Sequence, residues 1–575
     1  MQRRALLQLM STFPLALSGS LGRAAWASTG PVPRNRVRPK DPGWPARTQW
    51  QSLAEQVGGR LTELEAPFAA CATSAADPRC TAALATLRNT FTLGDQPGLT
   101  QTSGWLDAWI SQPSAYAVAA AQTADVVAAV NFARTHRLRL VVKGGGHSYQ
   151  GTSDAPDSLL VWTRHMNDVQ LHDAFVPYGC GGSIAPQPAV TLGAGAMWID
   201  AYDAVTTRGG RYVQGGGCTT VGVAGLVQSG GFGNFSKYYG TAAAGLLEAE
   251  VVTADGQVRI ANAANHADLF WALKGGGGGS FGIVTRLTLR TRELPEEFGA
   301  VFFKVRAKSD AAFRALVGKL VAFYRAALFN PHWGEQIGLG TDNTLDVSMV
   351  FQGLNKEQAA QAWEPFLAVV RGDAAYAIEN DFTCLSIPAR HMWDGAYHRQ
   401  HVPGFMVDDP RADAPAHHVL WKGDLDQAGW FIHGYQSAWL PAALLAPGDQ
   451  DALAEALFRA SRHWRVGLHF NKGLAGAPAA EISAARDTAT NPAACDAFAL
   501  AIIAGGEGPR FPGMPDAHVD APAAREHARR IGLAMAELQR VAPGAGSYVS
   551  ESDYFLANWQ QAFWGENYAR LARIK

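Results

Sequence analysis

The chain has 575 residues, too many for one simple core, which points to two or three domains. With 47% hydrophobic and 17% charged residues it excludes a disordered polymer, and a formal net charge of −1 gives no electrostatic basis for binding nucleic acid or an anionic membrane. Glycine stands out at 61 residues, many in short runs of the kind used where backbone must approach something closely.

Arg3 and Arg4 form a twin-arginine pair, a mostly apolar stretch follows from Ala5 to Leu21, and Ala25-Trp26-Ala27 supplies a small-residue cleavage site. This order predicts a twin-arginine signal over residues 1–27 and a periplasmic or secreted mature protein. No other apolar run reaches the roughly 20 residues needed to span a bilayer. Residues 28–104 are Pro-rich at first and then helical in pattern, and are expected to form an N-terminal extension packed on the main body. Cys71 and Cys80 can close a small disulfide loop in an oxidising compartment. No C-x-x-C pair occurs, so there is no sign of a structural zinc site.

Residues 105–293 alternate short apolar runs with helices, the pattern of an α/β domain. Tyr116 to Ala120 reads as a strand, Thr123 as the N-cap of a helix through about His136, and Leu138 to Val142 as the next strand. Ser158 to Trp162, Ala189 to Leu192 and Glu250 to Thr253 are further strand candidates. From 294 to 540 the character changes to strands at Val301 to Val305, Leu345 to Phe351 and Val466 to Phe470, with Ala-rich helices between. This predicts an α+β domain on an antiparallel sheet. Trp393, Tyr397, His398, His401, Trp421, Trp430, His433 and Tyr435 fall here; aromatic residues of this kind line pockets but more often fill cores. Residues 541–575 are assigned to a C-terminal return to the first domain.

Four motifs carry the chemistry. Lys143-Gly144-Gly145-Gly146-His147-Ser148-Tyr149 follows a strand, and its glycines let the backbone turn N–H groups toward one spot, a nest suited to phosphate oxygens. It matches neither the dinucleotide fingerprint nor a P-loop. Gly215-Gly216-Gly217-Cys218-Thr219-Thr220-Val221-Gly222, continued by Ser229-Gly230-Gly231-Phe232-Gly233, surrounds a cysteine with small residues, so that a large planar group can press on the backbone; a lone cysteine is also a small buried hydrophobe. The third is Trp271-Ala272-Leu273-Lys274, five glycines from Gly275 to Gly279, and Ser280-Phe281-Gly282-Ile283. The fourth joins Tyr548-Val549-Ser550 to Phe563-Trp564-Gly565-Glu566-Asn567-Tyr568.

In this order the four motifs resemble the berberine bridge enzyme-like group of the vanillyl-alcohol oxidase/p-cresol methylhydroxylase superfamily, as a bacterial, twin-arginine-exported member. The resemblance covers most of residues 105–575. It implies an α+β fold with an FAD-binding domain of the p-cresol methylhydroxylase type (105–293) and a substrate domain whose antiparallel sheet is covered by helices (294–540). It further implies FAD attached through two covalent bonds, His147 to the 8α-methyl and Cys218 to C6 of the ring. Gly144, Gly145, Gly146, Ser148 and Gly231 are expected at the pyrophosphate, Gly222 against the cofactor, Gly282 and Ile283 by the adenine, and Asn567 holding the flavin. Tyr149 and Tyr548 are expected on the substrate side, with Tyr548, at a depressed pKa, as the base. Val221 takes the place of a gatekeeper whose small size admits O2. The family commonly has Tyr-x-Asn where this chain has Tyr548-Val549-Ser550, and relatives usually continue past the position of Lys575 with a short Asp-Pro-containing tail.

The resemblance implies an oxidase that takes a hydride from an alcohol carbon, with the anomeric carbon of oligosaccharides as the leading substrate, and gives H2O2 from O2. The alternatives are a dehydrogenase or an oxidase of aromatic or secondary-metabolite alcohols or amines, and, from another class, a secreted binding protein with a structural FAD. No nucleic acid, metal or membrane span is expected.

Overall fold

Val126, Ala129, Val130 and Ala133 are buried along one side of the helix Thr123–His136, which ends where expected. The fold is that of a computed structural model describing residues 36–425 and 427–575, of which 37–575 form one compact unit. The twin-arginine segment lies outside the described residues. One detail at this helix differs from expectation. Gln122, not Thr123, is the N-cap, because the Thr123 hydroxyl donates to Glu250 Oε1 at 2.6 Å instead. The Asp125 carboxylate takes over the capping work by accepting from the Ala121 and Gln122 N–H groups at 2.9 and 3.2 Å.

Among the described residues the strands form three main sheets and one small pair. In the first, Tyr116–Ala119, Ser158–Trp162 and Arg139–Lys143 run parallel, and Leu61–Glu63 from the N-terminal extension closes one edge antiparallel. The second is antiparallel, in the order Val258–Asn262, Leu246–Val252, Ile283–Glu293, Gln187–Gly193 and Val169–Phe175, with Arg211–Val213 paired to the far end of Ile283–Glu293. Helix Thr123–His136 packs with Leu159 and Val161 of the first sheet and Val252 and Ile283 of the second in one apolar cluster.

The third sheet runs Tyr376–Pro388, Glu297–Ala307, Thr344–Gln352, Trp333–Leu339, Val466–His469, Ala497–Glu507, Gly429–Pro441, Thr102–Trp105, Trp109–Ile110. Strand alternation divides its side chains between two environments. Val301, Phe303, Val347 and Met349 enter a core shared with helices Asp310–Phe323, Lys356–Arg371, Gln450–His463 and Ala521–Val541. Ala300, Phe302, Ser348 and Val350 line a cavity instead. The expected antiparallel, helix-covered sheet is therefore present, with one addition. Thr102–Trp105, placed by the sequence in or beside the first domain, pairs parallel with Gly429–Pro441. Its four residues are all buried and show no alternation from which a sheet face can be read.

Cys71 and Cys80 form a disulfide with a Cα–Cα distance of 4.7 Å, packed among Phe68, Leu87, Leu93 and Phe511. Among the described residues no helix is long and apolar enough to cross a membrane.

Candidate active site

Strand Arg139–Lys143 delivers the chain into the first glycine turn. Lys143 at its end is buried and spends its ammonium on the carbonyl oxygens of Gln96 at 2.7 Å, Pro97 at 3.2 Å and Leu99. Burial pulls it down to about 8. The N–H groups of Gly145, Gly146 and His147 that follow donate to no protein acceptor among the described residues, yet they line a cavity of about 1060 Å³. Adjacent unpaired N–H groups around one concavity form an anion nest. The turn crosses directly over the second glycine motif: a Cβ on Gly145 would meet the Gly222 nitrogen at 2.5 Å and the Thr220 oxygen at 3.1 Å. Only glycine lets two backbones come this close. Gly144, Ser148, Gly222, Gly282 and Ile283 line the same cavity, together with Gly277 to Ser280.

His147 and Cys218 also face this cavity. His147 Nε2 lies 3.1 Å from Thr220 Oγ1, and burial holds the imidazole down at about 4, so it is neutral over the ordinary pH range. Cys218 Sγ lies 3.7 Å from Asp424 Oδ1. Burial keeps its thiol protonated, and the Asp424 and Glu335 carboxylates reinforce that. An N–H nest for a pyrophosphate, a neutral imidazole and a thiol in one cavity fit FAD. Val221 lines it too, with its carbonyl accepting from the Trp198 N–H at 3.0 Å.

The remaining wall comes from the third sheet and the C-terminal return. Tyr149 packs against Tyr435 at 5.2 Å and Trp430 at 6.5 Å between ring centres, and Tyr548 lies edge-on to Phe232 at 5.2 Å. Tyr149, Tyr435 and Tyr548 all line the cavity. Tyr548 does not have the depressed pKa expected of it. Burial pushes its phenol well above the ordinary value, and the nearby Glu551 carboxylate pushes the same way. Tyr149 is raised for the same reason.

Sequence reasoning missed the charged groups here: Glu335, Lys422, Asp424, Lys472 and Glu551 all line the cavity. Lys472 and Glu551 form an ion pair. Glu335 sits in the middle of strand Trp333–Leu339 at φ +60°, a conformation that side chains other than glycine rarely take. Its carboxylate accepts from Asn471 Nδ2 at 3.2 Å, and burial pushes it up to about 7. Asp424 is raised to about 6, again by burial. The only trace in the sequence is an acid after glycine inside the apolar run Trp333-Gly334-Glu335-Gln336-Ile337.

Two expected cofactor residues lie away from the cavity wall. Gly231 is packed behind it, where a Cβ would strike the Ala242 side chain at 2.6 Å. Asn567 spends its amide on the Thr488 and Thr490 carbonyls at 3.2 and 2.9 Å. Trp564, three residues earlier, reaches the cavity and donates to the Gly275 carbonyl at 3.0 Å. Of the aromatic set, His398, Trp421 and Tyr435 line the cavity, whereas Trp393 stacks on Tyr202 in the core. The sequence marks no metal site; Asp200, His417 and His418 bring one ligand atom each within 4.8 Å. Both imidazoles hydrogen-bond the one Asp200 oxygen at 3.1 and 3.2 Å and the Met197 N–H donates to the other at 2.9 Å, while the buried His418 Nδ1 has no hydrogen-bond partner among the described residues.

Residues 114–262 match the family profile described as FAD binding domain, and residues 547–575 the one described as berberine and berberine like. The VAO-type flavoprotein oxidase VAO615 of Thermothelomyces thermophilus is 28% identical over 583 aligned positions, covering 94% of this chain and 90% of its own. The crystal structure of MtVAO615 from Myceliophthora thermophila C1 superposes with a TM-score of 0.74 at 24% identity over 94% of both chains. The chain has the fold of VAO-type flavoproteins. Its FAD-binding domain is of the p-cresol methylhydroxylase type, and its end is berberine-like. The chain is also 34% identical to the FAD-linked oxidoreductase malF of Malbranchea aurantiaca over 348 residues, 56% of this chain and 58% of malF. The match thus spans little more than half of that curated relative. Glucooligosaccharide oxidase from Acremonium strictum, described with a 6-S-cysteinyl, 8α-N1-histidyl FAD, has the same fold at a TM-score of 0.62 and 18% identity, covering 91% of this chain and 95% of that one. VAO615 and malF come from fungi, and the bacterial, twin-arginine reading finds no counterpart in them.

Proposed function

We propose that this flavoprotein is an FAD-linked oxidase whose FAD is bonded to both His147 and Cys218 and whose substrate enters beside Tyr149, Tyr435 and Glu335. The observation that carries the reading is the continuity of one cavity from the unpaired N–H nest, past the imidazole and the thiol, to a mixed aromatic and acidic wall. The doubly linked FAD described for the structurally similar glucooligosaccharide oxidase supports the same assignment. When bound, FAD supplies a ring that accepts a hydride at N5.

The protein's own contribution is to bind, orient and move one proton. The Gly145, Gly146 and His147 N–H groups hold the pyrophosphate. The aromatic wall stacks on a flat substrate face and excludes water. Glu335, held near neutral, takes the hydroxyl proton as the hydride leaves the same carbon. Tyr548, with its phenol pushed up, donates a hydrogen bond instead of acting as base. The small Val221 leaves room for O2, which receives the electrons as H2O2. An oligosaccharide oxidised at its anomeric hydroxyl fits the aromatic wall. A second reading, oxidation of a basic amine, is favoured by three acids, Glu335, Asp424 and Glu551, facing the cavity against two lysines, Lys422 and Lys472. We further propose that the chain is exported through the signal at residues 1–27.

Acid precipitation of the purified protein tests the central claim. Yellow colour is expected to stay in the wild-type pellet and to be released only when both His147→Ala and Cys218→Ala are introduced. Colour released from wild type removes the covalent reading. Oxygen uptake with a panel of oligosaccharides and aromatic amines then separates the two substrate classes.

A further inference from the structure

We propose that Asp424 is the base that takes the thiol proton of Cys218 as this cysteine bonds to the flavin ring, an inference that rests on the covalent FAD reading above. A thiol attacks only as its thiolate. Reactive cysteines usually reach that state beside a cation or a helix N-terminus, and this one has neither in contact among the described residues. Its surroundings do the opposite: burial and the Asp424 and Glu335 carboxylates hold the proton on sulfur, with Lys472 alone opposing them. A buried thiol so placed is inert unless a group touching it removes the proton.

Asp424 is that group. Its Oδ1 is the side-chain acceptor at Cys218 Sγ, 3.7 Å away. The contact is fixed by backbone. Asp424 closes the short helix Lys422–Asp424, and Trp421 just before it donates its indole N–H to the carbonyl of Gly217, the residue preceding Cys218, at 3.1 Å. Gln427 steadies the acid from behind, donating to Asp424 Oδ1 at 3.4 Å and to the Gly423 carbonyl at 2.8 Å. Asp424 Oδ2 is buried with no partner among the described residues. Leaving a buried acceptor unsatisfied is costly, and such an atom is ready to receive a proton. The carboxyl is raised to about 6, which makes it a stronger base than an ordinary aspartate. His147 is already neutral and needs no such partner, so the two bonds should differ in their dependence on Asp424.

The step balances as follows. The S–H bond of Cys218 and the C6–H bond of the ring break, and one S–C6 bond forms. The thiol proton passes to the Asp424 carboxylate and the ring proton to water. The two electrons released stay on the ring and then leave to dioxygen, giving one H2O2 for each bond formed.

The test is mass spectrometry of flavin-bearing peptides from wild type, Asp424→Asn and Asp424→Glu, loaded with FAD under air. Wild type is expected to show both links. Asp424→Asn is expected to keep the His147 link, which reports a folded FAD site, while Cys218 stays free and alkylatable and its link forms at least about 100-fold more slowly. Asp424→Glu should restore part of that rate. A cysteinyl link formed at the wild-type rate in Asp424→Asn overturns the proposal. Absence of the cysteinyl link from wild type itself instead overturns the covalent reading beneath it. Should Asp424→Asn take up no FAD, Asp424→Ser repeats the comparison with a smaller side chain.

Discussion

A glutamate at φ +60° inside a strand costs on the order of 1–3 kcal/mol, and its surroundings must hold it there. Gly334 explains how. A Cβ at that position would meet the Asn234 carbonyl at 2.0 Å, so the strand is pressed against the second glycine motif and turns Glu335 into the cavity. If Glu335 is the base, Glu335→Gln should slow flavin reduction by substrate about 100-fold or more and remove an ionisation near 7 from the pH profile. Tyr548→Phe should have the smaller effect and leave that ionisation in place. Stability gives an independent check. The carboxyl is raised in the fold from 4.5 to about 7, so the native state binds more protons than the unfolded state and stability falls as pH rises through that window. Denaturation of Glu335→Gln across pH 4.5–7 should show a shallower fall than wild type.

At the scale of elements, the crossing of the two glycine loops is the joint on which the site depends. Gly145→Ala should cost about 1–3 kcal/mol, because the new methyl meets backbone at 2.5 Å with no flexible side chain to yield. Flavin content should fall with it, since the displaced N–H groups are the nest. Thermal denaturation and the ratio of flavin to protein absorbance measure both effects. The two glycine motifs were legible in the sequence as places of close backbone approach, but their crossing was not, because it joins segments about 75 residues apart. Strands such as Ser158–Trp162 were legible too, because a buried parallel strand is a short continuous apolar run. Glu335 and Asp424 were not. Their significance comes from burial and from partners 136 and 206 residues away, Asn471 and Cys218, which no local pattern encodes. Asn567 misled for the converse reason: its amide is occupied by Thr488 and Thr490, contacts invisible before folding.

Across the whole molecule, Lys237 ties the glycine-rich half to the third sheet. It is buried with no counter-ion among the described residues, and its ammonium donates to the carbonyls of Ala475 and Phe498, both at 3.0 Å. Burial lowers it from 10.5 to about 7. The unfolded chain therefore binds more protons between those values, and stability should rise with pH across that window, by up to about 1.4 kcal/mol per unit. Lys237→Met should lose this rise while leaving two carbonyls unpaired. Urea titrations at pH 7 and 9 on both proteins check it. The third sheet also shows where the sequence-drawn boundaries fail. A cut at residue 294 separates two patterns of hydrophobicity, but Thr102–Trp105 and Trp109–Ile110 lie on the far edge of the sheet beyond that cut. For recombination, the half that carries the third sheet is thus not one contiguous cassette. A chimera joined at 294 alone would give strand Gly429–Pro441 an edge neighbour from the wrong parent, whereas a graft that also carries residues 102–110 would exchange the sheet intact.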